Sequence, residues 1–167
     1  MLVIADTTPL NYLILIDSIQ LLPRLYQQVI LPRATWQELQ HADTPSAVAQ
    51  WARVLPDWVE VREAPESTDP ALKALGQGEK QALALAKLYR HETEVLLLLD
   101  EQAARQQAAA RQIAATGTLG VLRAAAAQGW VDLAQAFGRL WQTDFRVTAT
   151  LLQELLDEDA ERQQKAE

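Results

Sequence analysis

The chain has 167 residues, of which 49% are hydrophobic and 22% charged, a composition typical of one globular domain rather than a disordered segment. It contains no cysteine, which excludes disulfides, thiolate metal sites and cysteine nucleophiles. The net charge of −7 argues against a simple nucleic-acid-binding module, which usually has a basic surface. It does not argue against an enzyme that gathers carboxylates around bound cations. We therefore expect one domain, residues 1–167, in which any metal ion is held by oxygen atoms.

Apolar runs alternate with helical patterns in the first half of the chain. The run Leu2–Ala5 stops at Asp6 and predicts a strand that is buried on both faces, followed by a helix. The further elements predicted here are a strand at 28–31, a helix from Pro32 through Leu39, a helix near 45–55 and a strand around 58–61.

The second half continues the alternation after a proline-containing surface loop at 63–70. The run Val95–Leu99 is the strongest predicted strand and ends at Asp100. A helix at 78–89 precedes it; a long helix through Ile113, a short apolar-to-turn segment at 114–120 and further helices follow it. Strands that alternate with helices predict a parallel sheet covered on both faces.

Two features bear on location. The longest apolar run, Val95–Leu99, is far too short to cross a bilayer. The amino terminus has no basic region before Asp6 and does not have the pattern of a signal peptide. We therefore expect a cytoplasmic protein with no membrane partner.

Asp6 and Asp100 each stand where a fully apolar strand ends. The carboxyl ends of parallel strands share one edge of a sheet, and ligands bind there near the topological switch point, so the two carboxylates can be neighbours. Alternatively, each could cap the helix that follows it. Two acidic residues at corresponding strand ends favour a functional site.

Two glutamates are further candidates, although each also has a purely structural interpretation. Glu79 lies in the first turn of its helix, where it could offset the helix dipole by up to about 1 kcal/mol. Glu38 lies beside Trp36 and Leu39 and could simply be a polar residue of an amphipathic helix.

Taken together, the four carboxylates and their flanking residues resemble the PIN (PilT N-terminus) domain family, and within it the branch of VapC-type toxins. The segments that carry the resemblance are 4–10 around Asp6, the helix after Leu31-Pro32 with Glu38, 78–84 with Glu79, 98–101 with Asp100, and the turn at 116–120. Each segment is short, but their order and spacing from residue 1 to about residue 130 are fairly specific.

The resemblance implies a three-layer α/β/α fold with a central parallel sheet and Mg²⁺- or Mn²⁺-dependent endoribonuclease activity. The implied catalytic residues are Asp6, Glu38, Glu79 and Asp100. Among these, Asp6, Asp100 and Glu79 would hold the metal, and Glu38 would complete the cluster directly or through water. Such an ion activates water and neutralises the phosphate. Family members of this branch are often toxins restrained by an antitoxin, so the expected partners are RNA, an antitoxin protein and a second copy in a homodimer.

Polar residues near the four carboxylates could assist in binding metal ligands or RNA, although each also has a structural explanation. The hydroxyls of Thr7, Thr8 and Thr118 could orient ligands or contact phosphate, although capping is an equally good role for them. Arg105 and Arg111 follow Asp100 on the same helix and could guide the RNA backbone, although solvated arginines are commoner.

One departure from the family pattern bears on the number of metal ions. Many members carry a further aspartate near the position of Thr116–Thr118, which is not acidic here. The sequence also leaves open a non-catalytic interaction module on the same fold. A receiver-like or haloacid-dehalogenase-like phosphoryl-transfer domain is disfavoured because Thr7 and Thr8, rather than a second acid, follow Asp6.

The helix expected at about 148–163 carries a stripe of leucines. Such stripes usually pack on their own core, but this one could also be a surface for a dimer or an antitoxin. The stripe comprises Leu151, Leu152, Leu155 and Leu156.

Overall fold

In the computed structural model, which describes residues 1–166, five parallel strands form one sheet with helices on both faces. The strands are β1 (Leu2–Ala5), β2 (Val29–Pro32), β3 (Val59–Arg62), β4 (Val95–Leu98) and β5 (Ala114–Thr116). The helices are α1 (Thr7–Leu15), α2 (Leu21–Tyr26), α3 (Arg33–Glu38), α4 (Ser46–Arg53), α5 (Gln77–Tyr89), α6 (Gln102–Ala110), α7 (Thr118–Ala127), α8 (Leu133–Trp141) and α9 (Ala149–Ala166), with a 3₁₀ turn at Pro70–Leu72. The expected three-layer α/β/α fold is confirmed.

The strand order, β3-β2-β1-β4-β5, places the switch point of the sheet between β1 and β4. The chain first builds outward from β1 to β3 and then crosses back to add β4 on the other side of β1. Ala5 is in register with Leu98, so the two strands end side by side. In an open parallel sheet a crevice forms at this point, beyond the carboxyl ends of the strands.

The three central strands, β2, β1 and β4, are buried on both faces, and their alternate residues enter two separate clusters. Val3 and Ala5 of β1 pack in the larger cluster, beneath α1, α2, α4 and the three helices α7–α9. Ile4 faces the other way and packs beneath α5 and α6. Continuous apolar runs such as Leu2–Ala5 are needed because neither face of the strand meets water.

Two elements differ from the predictions. Residues 114–116, predicted as part of an apolar-to-turn segment, form the edge strand β5, paired to β4 through Leu98 and Thr116. Helix α6, predicted to reach Ile113, ends at Ala110. The chain must turn back to enter β5, and Gln112 accommodates this with a positive φ of 55°, which no residue inside a right-handed helix can adopt.

Helix α9 packs against the rest of the domain through Leu152 and Leu155, which are buried in the larger cluster. Leu151 lies on the outer side and is 40% exposed. The leucine stripe thus belongs mainly to the core, and a partner role for this helix stays a prediction. Within residues 1–166, no helix has the length and apolar character needed to span a bilayer.

Candidate active site

A cleft of about 390 Å³ opens at the carboxyl ends of β1 and β2. Four carboxylates line it, and none of its lining residues within 1–166 is a cation. We call it the acidic cleft, and its carboxylates belong to Asp6, Glu38, Glu79 and Glu101. Like charges brought together in this way repel, and this repulsion raises the pKa of the groups concerned.

Asp6 follows β1 directly and is only 5% exposed. It occupies the cap position of α1, yet its side chain makes no capping hydrogen bond; instead, the Thr35 hydroxyl approaches its Oδ1 at 3.5 Å. Burial, reinforced by the charges of Glu79 and Glu38, raises the pKa of Asp6 to about 7. The carboxyl is therefore half-protonated near neutral pH when no cation is bound.

Glu38 is held at the cleft by two donors from other elements. The Thr7 hydroxyl donates to its Oε2 at 2.6 Å, and the Gly78 backbone N–H donates to its Oε1 at 3.2 Å. In return, Gln81 of α5 accepts the Ala34 N–H in the first turn of α3 at 2.9 Å. Each helix thus satisfies an otherwise unpaired N–H at the start of the other, and this mutual capping fixes Glu38 relative to the cleft.

Glu79 lies in the first turn of α5 and is 9% exposed. Its Oε2 accepts the N–H of Gly76, the cap residue of α5, at 3.0 Å, and so satisfies a backbone donor at the start of the helix. Burial raises its pKa, and the charges of Glu101 and Glu38 add to the effect. The structural role foreseen for this glutamate and its place in the acidic cleft therefore occur together.

Asp100 does not join the other three predicted residues in the acidic cleft. It lines a neighbouring groove, although β4, which precedes it, lies beside β1. Thr118 donates to it twice, from its backbone N–H to Oδ1 at 2.7 Å and from its hydroxyl to Oδ2 at 2.6 Å. Burial raises the pKa of Asp100, while the Thr118 hydrogen bonds and the Arg105 charge oppose the rise. The cap position of α6 belongs to Glu101, so Asp100 does not cap the helix that follows it.

The three predicted threonines differ in what they contact. Thr7 orients Glu38 and Thr118 orients Asp100, whereas Thr8 lines the acidic cleft. Sequence reasoning missed two residues here, Thr35 and Glu101. Thr35 is fully buried and lies one helical turn before Glu38, so the i, i+3 spacing on α3 could have indicated it. Glu101 directly follows Asp100 and could have been considered with it.

The donor chemistry of the acidic cleft fits a hard divalent cation such as Mg²⁺ or Mn²⁺, because all of its charged ligands are carboxylates. Asp6 Oδ1 and Glu38 Oε2 lie 2.5 and 3.3 Å from one point, the position that a Cβ on residue 78 would occupy. However, no group of three acidic or histidine side chains within 1–166 is close enough, as arranged, to hold an ion. Asp6 and Asp100, expected to share a metal, line separate cavities.

The glycine at position 78 permits this close approach, and its replacement gives a first prediction. A Cβ there would lie 2.5 Å from Asp6 Oδ1 and 2.8 Å from Thr35 Oγ1. Both of these side chains are buried and cannot move aside freely. We expect Gly78→Ala to lower the free energy of unfolding by about 1–3 kcal/mol, measured by chemical denaturation.

Gly138→Ala is the matched control, because this glycine also lies inside a helix, α8, but no neighbouring atom comes within 4 Å of the position that its Cβ would take. Helix propensity alone should raise the stability of this variant by up to about 1 kcal/mol. An equal gain in Gly78→Ala would show that the site does not need the close approach.

Comparison with known proteins bears on the family. The DUF3368 family model, described as a PIN domain, matches residues 2–161. The search of curated proteins and the search of solved structures each found no match. The family match spans nearly the whole chain, including all five strands and the acidic cleft at their carboxyl ends. This chain therefore belongs to the PIN domain family.

Proposed function

We propose that the chain is a Mg²⁺- or Mn²⁺-dependent endoribonuclease and acts as the toxin of a type II toxin–antitoxin pair. PIN domains are generally nucleases, so family membership supports hydrolysis of nucleic acid. The observation that carries the proposal further is the acidic cleft, where four carboxylates meet without a cationic lining residue within 1–166. An arrangement that raises the pKa of Asp6 and Glu79 costs stability and is typical of functional sites.

In this proposal Asp6, Glu38 and Glu79 would hold the ion after drawing closer together than they are as arranged, with Glu101 beside them and Asp100 at the second groove. A bound divalent ion would lower the pKa of water and offset the charge of the phosphate. The chain itself supplies orientation, since Thr7 and the Gly78 N–H fix both oxygens of Glu38. Thr118 does the same for Asp100. Burial of Asp6 keeps bulk water from screening the charges that act on the reacting phosphate.

A non-catalytic module on the same fold is the second candidate. It is favoured by the absence, within residues 1–166, of three acidic side chains arranged to hold an ion. The receiver-like and dehalogenase-like alternatives are no longer needed, because the family match accounts for the sheet and the strand-end carboxylates.

The toxin role and its partners are the finer part of the proposal. An antitoxin would have to block the acidic cleft or the groove beside Asp100, and the outer side of α9 offers Leu151 for a further contact. A homodimer is also proposed, because the resemblance to VapC-type toxins implies it. Co-expression with the neighbouring gene product, followed by co-purification and a test of nuclease inhibition, addresses the antitoxin. Light scattering addresses the dimer.

The nuclease proposal is tested with purified protein and a panel of fluorescent single-stranded RNAs, with Mg²⁺, Mn²⁺ or chelator. We expect cleavage only with a divalent ion. Asp6→Asn and Asp100→Asn should each reduce the rate by roughly 100-fold or more while the protein stays folded. Asp57→Asn is the matched control, because this exposed aspartate lies at the opposite, amino-terminal edge of the sheet, just before β3.

Cleavage that persists undiminished in a folded Asp6→Asn/Asp100→Asn double variant would contradict the proposal. Absence of both cleavage and manganese binding in wild type, by calorimetry at millimolar metal, would favour the non-catalytic module.

A further inference from the structure

A second cavity is lined by Asp100, whose neighbour in the chain, Glu101, lines the acidic cleft. This groove has a volume of about 960 Å³ and runs between α6, the turn from β5 into α7, the connector from α8 to α9, and the start of α9. We call it the basic groove. The residues that characterise it are Asp100, Arg105, Arg123, Phe145, Arg146 and Thr148.

The charge of the basic groove is opposite to that of the acidic cleft and of the whole chain. Its lining within residues 1–166 carries three arginines and one carboxylate, in a protein with a net charge of −7. A cationic strip on an acidic protein attracts anions only along that strip, which gives an anionic polymer one preferred path.

Two of the three arginines are available to a ligand. Arg123 forms an ion pair with Glu158 at 2.5 Å. Arg105 and Arg146 are exposed and have no ion pair within residues 1–166. Guanidinium groups hold phosphate oxygens through two parallel hydrogen bonds. Arg111, also considered from the sequence as a guide for RNA, is instead paired with Asp69 at 2.5 Å and lies outside the groove.

The wall that carries Arg146 is anchored to the rest of the domain. Phe145 packs edge-on against Tyr12 of α1, with ring centroids 4.9 Å apart. The Tyr12 hydroxyl donates to Asp144 Oδ1 at 2.8 Å. Asp144 is the one acidic residue of this connector, and this hydrogen bond ties it to α1. These contacts of Phe145 and Asp144 anchor the connector next to Arg146, which lines the groove together with Arg105 of α6.

The groove also presents apolar surface, with which the charged outside of a double helix would make no favourable contact. Phe145 and Leu119 are half-buried, and Leu151 is 40% exposed. Unstacked bases bind such surfaces while their phosphates contact nearby cations. A double helix keeps its bases stacked inside and could not use this strip.

We propose that the basic groove binds single-stranded RNA on one side of the scissile phosphate, with Arg105 and Arg146 contacting successive parts of the backbone and leading it past Asp100 into the acidic cleft. This inference rests on the proposed ribonuclease function, and it assigns the substrate path. RNA is favoured over an acidic peptide because Asp100, which lines the groove, is next in the chain to Glu101 of the acidic cleft, and because the groove combines cations with exposed apolar surface.

The test measures binding without cleavage. A fluorescein-labelled oligouridine of roughly 12 nucleotides is titrated with the full chain in chelator, and fluorescence anisotropy is recorded at several salt concentrations. We expect Arg105→Gln and Arg146→Gln each to weaken binding by roughly 5-fold and to lower the slope of log affinity against log salt by about 0.7. Arg105→Lys, which keeps the charge, should recover most of the affinity.

Arg139→Gln is the matched control, because Arg139 is an exposed arginine of α8 outside the groove. It changes the net charge equally and should leave affinity unchanged. An equal loss in Arg139→Gln would overturn the proposal, as would a wild type that fails to bind the RNA at low salt. Tighter binding of a duplex of the same length, or binding of polyglutamate in place of RNA, would also overturn it.

The same variants in the metal-dependent cleavage assay separate this inference from the proposed function. RNA binding that depends on Arg105 and Arg146 without any cleavage supports the groove and contradicts the nuclease. Cleavage whose KM is unchanged in both arginine variants supports the nuclease and contradicts the groove.

Discussion

Replacing Asp6 with Asn is expected to stabilise the metal-free protein at about pH 8, by several kcal/mol and at most about 4 kcal/mol. The wild-type carboxylate is buried beside Glu79 and Glu38, and its folded pKa is about 7 against an ordinary value of 3.8. Above pH 7 the folded state must therefore hold a charge that the unfolded chain holds in water. Asn keeps the shape and the acceptor oxygen but carries no charge.

The sign of the pH dependence follows from the raised pKa. Below 3.8 Asp6 is protonated in both states and no penalty exists; the penalty grows as pH rises from 3.8 and is complete above about 7. The advantage of Asp6→Asn should therefore be largest at about pH 8 and vanish near pH 4. Chemical denaturation of chelator-treated proteins at both pH values measures it, with Asp57→Asn as the control.

The opposite order of stabilities is equally informative. If Asp6→Asn is less stable than wild type at about pH 8 without metal, the carboxylate is held by favourable contacts and the cleft is not under electrostatic strain. In either case divalent metal should shift the difference in favour of wild type, because an ion that binds only folded wild type stabilises it by mass action.

The parts of the fold that the sequence predicts are those governed by local rules. Leu2–Ala5 and the run at 95–99 are unbroken apolar segments next to acidic residues, and a strand buried on both faces requires that pattern. The edge strand β5 is not predicted because Ala114 and Ala115 are small residues with strong helix propensity. Pairing with β4, a tertiary contact, decides its structure.

The geometry of the site is harder to predict from the sequence, because its contacts join residues far apart in the chain. Glu38 meets α5 through the Gly78 N–H, 40 positions away, and the absence of a side chain at 78 allows this. The role of Gly78 is to admit Asp6 and Thr35 close to the backbone, which cannot be inferred from the residues next to it in the chain. Asp100 is likewise held by a distant partner, Thr118, which lies 18 positions away and beyond β5.

Thr118→Val is expected to cost about 2 kcal/mol at neutral pH. Thr118 is fully buried, and valine has nearly the same shape, so the change removes chiefly the hydroxyl that donates to Asp100 Oδ2 at 2.6 Å. That hydrogen bond favours the ionised carboxylate and holds the pKa of Asp100 below the value that burial alone would give. In the valine variant this pKa rises further. The stability difference from wild type should be present while Asp100 is ionised and shrink as pH falls through its pKa.

Thr118→Ser separates the hydroxyl from the methyl group of the same side chain. Serine keeps the donor and loses only buried apolar volume, which should cost about 1 kcal/mol at every pH. Denaturation of the two variants at about pH 8 and pH 4 gives the comparison. RNA cleavage gives a second readout, since only valine removes the hydroxyl and leaves Asp100 held by the backbone N–H of residue 118 alone. Equal, pH-independent losses in both variants would mean that Thr118 merely fills space. A pH-dependent loss confined to valine would identify Thr118 as the residue that fixes the charge and direction of Asp100 in the basic groove.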